Sequence, residues 1–216
     1  MSTPVEQIAE KLKRANEHVM QLEEELDAFQ NDASYGPISN DAAEQARAFR
    51  GFWETRVVPP RFPVLAGEVL QQLRSSLTYL HVALIVRDGN VPDTRSQFPI
   101  FSTKPTEPQD IARYDAQLRG ITRPQVVAAI ERHQPHAQQT RFEGKTWLSL
   151  LGGMSNIDKH EAIVLSIAVV DAPLLRAYVA FPQFGRDPNP QPVCTVLRQF
   201  AAGVREIIGE LEPFLI

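Results

Sequence analysis

The sequence predicts an α+β protein: a mostly helical bundle of long amphipathic helices carrying a small antiparallel sheet. Three observations predict it. Apolar residues recur at steps of three and four near the start, in the middle and at the end of the chain, the period of one helix face. Two short runs rich in β-branched and aromatic residues, EAIVLSIAVVD and RAYVAFPQF, flank the turn Asp171-Ala172-Pro173 as a hairpin over 161–184. No clear linker divides the 216 residues, so a single domain over 1–216 is expected.

The first helix, expected over 3–30, opens on Thr3-Pro4-Val5-Glu6, a capping box with proline at the first helical position. Val5, Ile8, Leu12, Ala15, Val19, Leu22, Leu26 and Phe29 then form one apolar line. At about 1.5 Å per residue this helix is roughly 40 Å long. Its apolar line admits two readings: an antiparallel partner for the central helix, or the seam of a coiled-coil dimer. Residues 31–41 read as a turn-rich break. Residues 46–58 (ARAFRGFWETRVV) read as a strand, because aromatic and β-branched residues and Gly51 weigh against helix.

The central helix, 63–87, has Ala66, Leu70, Leu73, Leu77, Leu80 and Leu84 on its core face. A polar line, Gln71, Arg74, Thr78 and His81, runs beside it. Asp88-Gly89-Asn90 closes the helix. Residues 91–106 form an extended connection, because Pro92, Pro99, Pro105 and Pro108 forbid long regular structure, and its Gln97-Phe98-Pro99-Ile100-Phe101 docks on the core. Short helices are expected over 108–119 and 124–133, and His133-Gln134-Pro135-His136 reads as a solvated helix end. Another helical segment begins at Trp147, weakened by Gly152-Gly153. After the hairpin, the last helix spans 193–212.

A net charge of −4 argues against a broad electrostatic footprint for nucleic acid but leaves room for a local basic pocket. The single cysteine, Cys194, excludes an intrachain disulfide and fits a reducing compartment. The start lacks a basic region followed by an apolar core, so no signal peptide is expected. No apolar run approaches the roughly 20 residues that span a bilayer. A cytoplasmic protein with no membrane partner is expected.

Two clusters could carry chemistry. Arg74 and His81 lie seven residues apart, close to two turns, on one helix face and about 10 Å apart along it. Arginine suits phosphate through its planar, permanently charged guanidinium, and histidine can take a hydroxyl proton near neutral pH. The bland alternative is a structural ion pair and a half-buried histidine. The second cluster is Asn156, Asp158, Lys159 and His160, immediately before an apolar strand that fixes their position. Its bland alternative is a helix C-terminus whose cations complement the dipole. His133 and His136 are two histidines where a metal site normally needs three or four ligands, so no metal site is expected there. G-x-S-x-G, G-x-G-x-x-G and G-x-x-x-x-G-K-[ST] are absent.

The helix G-E-V-L-Q-Q-L-R-S-S-L-T-Y-L (67–80) and N-I-D-K-H (156–160) resemble a widespread family of uncharacterised bacterial proteins. Those proteins carry G-D-x-x-H-N-L-R-S-A-L-D-H-L and a later N-x-D-K-H. Q-F-P-I (97–100), the stretch 118–136 and the opening helix also fit, so the resemblance covers most of the chain. More loosely the central helix resembles the HEPN superfamily, many of whose members are dimeric, metal-independent ribonucleases with paired R-x4–6-H motifs. Arg74 matches the arginine. Tyr79 stands at the histidine position, Thr78 at the aspartate, and Gln71-Gln72 replace His-Asn, while His81 offers R-x6-H spacing. Asn156, Asp158, Lys159 and His160 match fully.

The resemblance implies a HEPN-like protein with a nucleic-acid- or nucleotide-related role, including metal-independent RNase activity in a defence or toxin–antitoxin setting. In that reading Arg74 binds the scissile phosphate, His81 or His160 acts as base and Lys159 stabilises charge. Gln71, Thr78, Tyr79, Asn156 and Asp158 line the binding site. The alternative is a non-catalytic, dimeric helical module that binds a protein or nucleotide partner. Both readings expect a homodimer, and neither expects a metal or cofactor.

Overall fold

The computed structural model describes residues 3–31, 41–138, 145–161, 163, 165–170, 176–181 and 191–216. Most of these are helical, and they include a two-stranded antiparallel sheet. Among the described residues no helix is long and apolar enough to cross a membrane.

Helix α1 (Pro4–Asn31) starts where its capping box places it. The Glu6 amide donates to Thr3 Oγ1 at 3.2 Å, and the Thr3 amide donates to Glu6 Oε2 at 2.7 Å. Its buried face, Ile8, Ala15, Val19, Leu22 and Leu26, packs on α3 (Arg61–Arg87). Contacts run Lys11 to Tyr79, His18 to Glu68, Glu25 to Arg61 and Phe29 to Phe62, so the two helices are antiparallel. The apolar line of α1 is therefore an intrachain seam. The coiled-coil reading of this face is corrected, because α3 already covers it.

The expected strand over 46–58 is also corrected: residues Ala42–Glu54 form helix α2. Asp41 caps it by accepting from the amides of Ala43 and Glu44 at 2.9 and 2.8 Å. Phe49, Phe52, Trp53 and Arg56 are spaced at steps of three and four rather than two, which is a helix face. That face gathers Phe49, Phe52, Trp53 and Phe29, with the Arg56 guanidinium 4.5 Å from the Phe29 ring centre.

Helix α3 is the hub. Leu70, Leu73, Leu77, Leu80 and Leu84 are each fully buried, and α1, α6 (Trp147–His160) and α7 (Val193–Leu211) all pack on it. At roughly 1.5–3 kcal/mol for each buried leucine, this row is a large share of the core. The Asp88 carboxylate ends the helix and anchors the turn at Thr122. It accepts from the Thr122 amide at 2.6 Å and pairs with Arg123 Nε at 2.5 Å, placing α5 (Pro124–Arg132) against the end of α3. These donors hold its carboxyl below the usual carboxylate range, against the opposing effect of burial. Helix α4 (Pro108–Leu118) precedes that turn. Gly120 closes it at φ +96, with Ile85 2.9 Å from where a Cβ would stand.

Helix α6 runs unbroken through Gly152-Gly153, capped by Thr146, whose Oγ1 accepts from the Ser149 amide. The Glu161 amide closes its last turn onto Ile157 O at 2.7 Å. Glu161 therefore belongs to a helix end, and the strand begins later than expected. The sheet pairs β1 (Ser166–Val170) with β2 (Arg176–Ala180), from Ser166 opposite Ala180 to Val170 opposite Arg176. The turn at 171–173, Pro182 and Phe184 lie outside the described residues. Helix α7 buries Val193, Val196, Leu197, Phe200, Val204 and Ile207 on its inner face.

Gly203 of α7 lets the Trp147 indole lie on the helix backbone, and a Cβ at that position would overlap Trp147 Cε2. Alanine normally stabilises a helix interior relative to glycine by roughly 1 kcal/mol. Here the rigid indole reverses the sign. Gly203→Ala is expected to destabilise the protein by about 1–3 kcal/mol in urea unfolding, and the same substitution to cost little when made in a Trp147→Ala background.

Candidate functional site

The extended segment before α4 is held by side chains rather than by a strand partner. Arg74 Nη2 donates to Phe98 O at 2.9 Å and to Gln97 Oε1 at 3.4 Å. Gln134, fully buried, donates to Pro99 O at 3.1 Å and accepts from the Phe101 amide at 3.1 Å. His136 Nδ1 lies 3.2 Å from Phe101 O. Buried peptide groups need such partners, and here each comes from a different point of the chain.

The segment so placed walls a cavity of about 510 Å³ with α3, α4 and α6. Three cations line it: Arg74 from α3, Arg113 from α4, and Lys145 just before α6. Among the described residues no carboxylate lines it, and none of the three cations has a carboxylate partner. Asn156 of the N-I-D-K-H motif lines the same cavity, with Gln97 and Gln117. The structure thus brings Arg74 and Asn156 together across 82 residues of sequence. Burial lowers the Arg74 pKa to about 10, and its Nη1 is buried without a hydrogen-bond partner.

The other predicted residues fall elsewhere. His81 is fully buried behind the cavity, with Nε2 2.9 Å from the Gln117 carbonyl and Nδ1 unpartnered. That contact assigns the proton to Nε2. Burial lowers its pKa to about 4, with the Arg74 charge adding to the effect. It is a neutral tie between α3 and the end of α4. Tyr79 is exposed on the opposite flank, where Lys11 lies 4.8 Å over its ring, in a separate shallow groove with Gln72 and Arg14. Gln71 is exposed beside Ser75, and the Thr78 hydroxyl donates to the Arg74 carbonyl at 3.3 Å. The polar line of α3 thus runs from solvent at Gln71 to full burial at His81, because α4 and the 97–101 segment cover only its far end.

Asp158 packs on Gly67, whose missing Cβ would overlap Asp158 Oδ1. Burial raises the Asp158 pKa, with the Glu68 charge adding to it and Lys159 opposing it. Gly67 is therefore glycine because the carboxyl of the second motif occupies that space. Lys159 is exposed, and His160 is the last residue of α6, its side chain outside the described part.

His133 and His136 are not solvated, which corrects the expectation for this loop. His133 is buried, with Nε2 2.7 Å from Glu210 of α7, and Arg132 pairs with the same carboxylate. No group of three metal-ligating side chains occurs among the described residues. Cys194 is buried and its thiol pKa is pushed up to about 12 by burial, so it is protonated at neutral pH.

Arg113, Lys145 and Gln117 were not legible as site residues, since nothing local marks them. Their signal is the absence of compensating carboxylates, which exists only once the chain is folded. Comparison of the chain with family models, curated proteins and solved structures finds no match. Fold and site together define a helical bundle with a cationic, polar cavity.

His81 couples this region to pH. Its folded-state pKa lies below its unfolded value, so its contribution is fully present above pH 6.5 and is lost as pH falls toward 4. The loss is on the order of 3 kcal/mol. Unfolding measured by denaturant between pH 7 and 4 is expected to show this slope, and His81→Gln, a neutral donor, to flatten it.

Proposed function

We propose that the protein is a HEPN-like helical module with a nucleic-acid- or nucleotide-related role, and that it holds the phosphate of its ligand in this cavity without cleaving it. One observation carries the reading: Arg74, Arg113 and Lys145 converge on a cavity with no carboxylate among its described lining residues, in a chain of net charge −4. Three cations sharing a cavity whose described lining offers no counter-charge repel, and an anion between them relieves that repulsion. Arginine supplies planar, paired donors for phosphate oxygens, and lysine a mobile point charge at the rim.

A metal-independent ribonuclease also needs a base within hydrogen-bond reach of the attacking hydroxyl. Among the described residues no histidine or carboxylate lines the cavity; His81, the candidate nearest Arg74 in sequence, is spent on the Gln117 carbonyl, and the side chain of His160, the other candidate base, lies outside the described residues. The non-catalytic half of the sequence reading is the one the geometry favours. Its homodimer and protein-partner clauses gain no support from the cavity, and the α1 seam no longer serves them.

The test is binding of a fluorescently labelled, 5′-phosphorylated RNA oligonucleotide, with inorganic phosphate as competitor and EDTA in a parallel series. Saturable binding that weakens with salt, displaced by phosphate, is expected, with Lys145→Ala and Arg113→Ala each costing roughly tenfold in affinity. The oligonucleotide is expected to remain intact. EDTA-resistant cleavage that disappears in Arg74→Ala overturns the non-catalytic part, and no binding at micromolar protein overturns the whole reading.

A further inference from the structure

The cavity is larger and more varied than a phosphate alone requires. Phosphate occupies only a fraction of 510 Å³, a volume in the range of small-molecule sites. Beside the three cations it presents neutral hydrogen-bonding side chains, Gln97, Ser102, Gln117, Ser149 and Asn156. Among the described residues no aromatic ring lines it. Sites that grip bases of single-stranded nucleic acid stack them on aromatic faces, which the described lining does not supply.

The kinds of hydrogen-bonding group in the lining sharpen the choice. Gln97, Gln117 and Asn156 each carry an amide that both donates and accepts. A hydroxyl does the same, so sugar hydroxyls match such a lining. The Ser102 and Ser149 hydroxyls, 2.7 Å apart, add a further donor and acceptor pair on the wall.

We propose that the cavity recognises a pentose phosphate, with the phosphate among Arg113, Lys145 and Arg74, the sugar hydroxyls against Gln117 and Asn156, and any base left outside. This rests on the anion-binding reading above and names its ligand class. The pentose phosphate comes either as a free sugar phosphate or as the terminus of a nucleotide or RNA.

Calorimetric titration of the full chain with ribose 5-phosphate, ethyl phosphate, AMP and UMP tests it. Ethyl phosphate carries the same charge without the hydroxyls. Ribose 5-phosphate is expected to bind at least about tenfold more tightly than ethyl phosphate, because a site built to bond hydroxyls rejects the ligand lacking them. AMP and UMP are expected within about threefold of each other, since the base is not read. Their affinity relative to ribose 5-phosphate separates the sources: tighter binding of both nucleotides alike assigns the terminus, and tighter binding of ribose 5-phosphate assigns the free sugar. Gln117→Ala is expected to narrow the gap to ethyl phosphate, and Lys145→Ala to weaken both while leaving the gap. Thermal melting of each variant separates lost recognition from lost folding.

Equal affinity for ribose 5-phosphate and ethyl phosphate overturns the sugar assignment and leaves the anion-binding reading standing. A preference between AMP and UMP above about tenfold also overturns it, because the base is then read inside. Failure of all four to bind removes both.

Discussion

The cavity depends on a stretch of backbone that has no strand or helix of its own. Residues 97–101 would be an unsupported loop, yet they form a wall because their peptide groups are matched by side chains. Arg74 takes the Phe98 carbonyl, Gln134 takes the Pro99 carbonyl and the Phe101 amide, and His136 meets the Phe101 carbonyl. Phe98, fully buried, fastens the same segment from its apolar side. A peptide group stripped of water without a partner is costly, so these side chains decide where the wall stands. The wall in turn decides which residues share the cavity.

This arrangement gives Arg74 two duties at different atoms. Nη2 is committed to the backbone, which fixes the guanidinium in place. Among the described residues no carboxylate lines its cavity, which leaves the charge able to act on an anion. Under the proposed anion-binding role, a side chain held in this way has little rotamer freedom left to lose on binding. Arg113 and Lys145, on the exposed side, keep theirs. The cavity thus combines a fixed cation at its floor with adaptable ones at its rim.

The long elements were legible because their signals are local and periodic. The capping box, the leucine row of α3 and the wide face of α7 each announce a helix within their own residues. Helix α2 was not legible as a helix. Its aromatic content outweighed its spacing, and the spacing, together with the Asp41 cap, was the better guide. The site was legible in part. The residue types at Arg74 and Asn156 drew attention, and the fold brings both to one cavity. The depth of His81 was not legible, because α4 and the 97–101 segment, distant in sequence, bury it. The same holds for His133, whose partner Glu210 lies 77 residues away.

The contact between Gly67 and Asp158 has a consequence for how this sequence can drift. The two positions share one volume, so any side chain at 67 must be matched by a smaller one at 158. Freedom to vary at either position is therefore conditional on the other. Asp158 sits half a turn beyond Asn156 on α6, so the same contact meters the rotation of that helix. A slip of one residue turns it by about 100° and carries the Asn156 amide out of the cavity. The glycine in the second turn of α3 acts as an index mark for α6, setting how deep its polar side chain reaches.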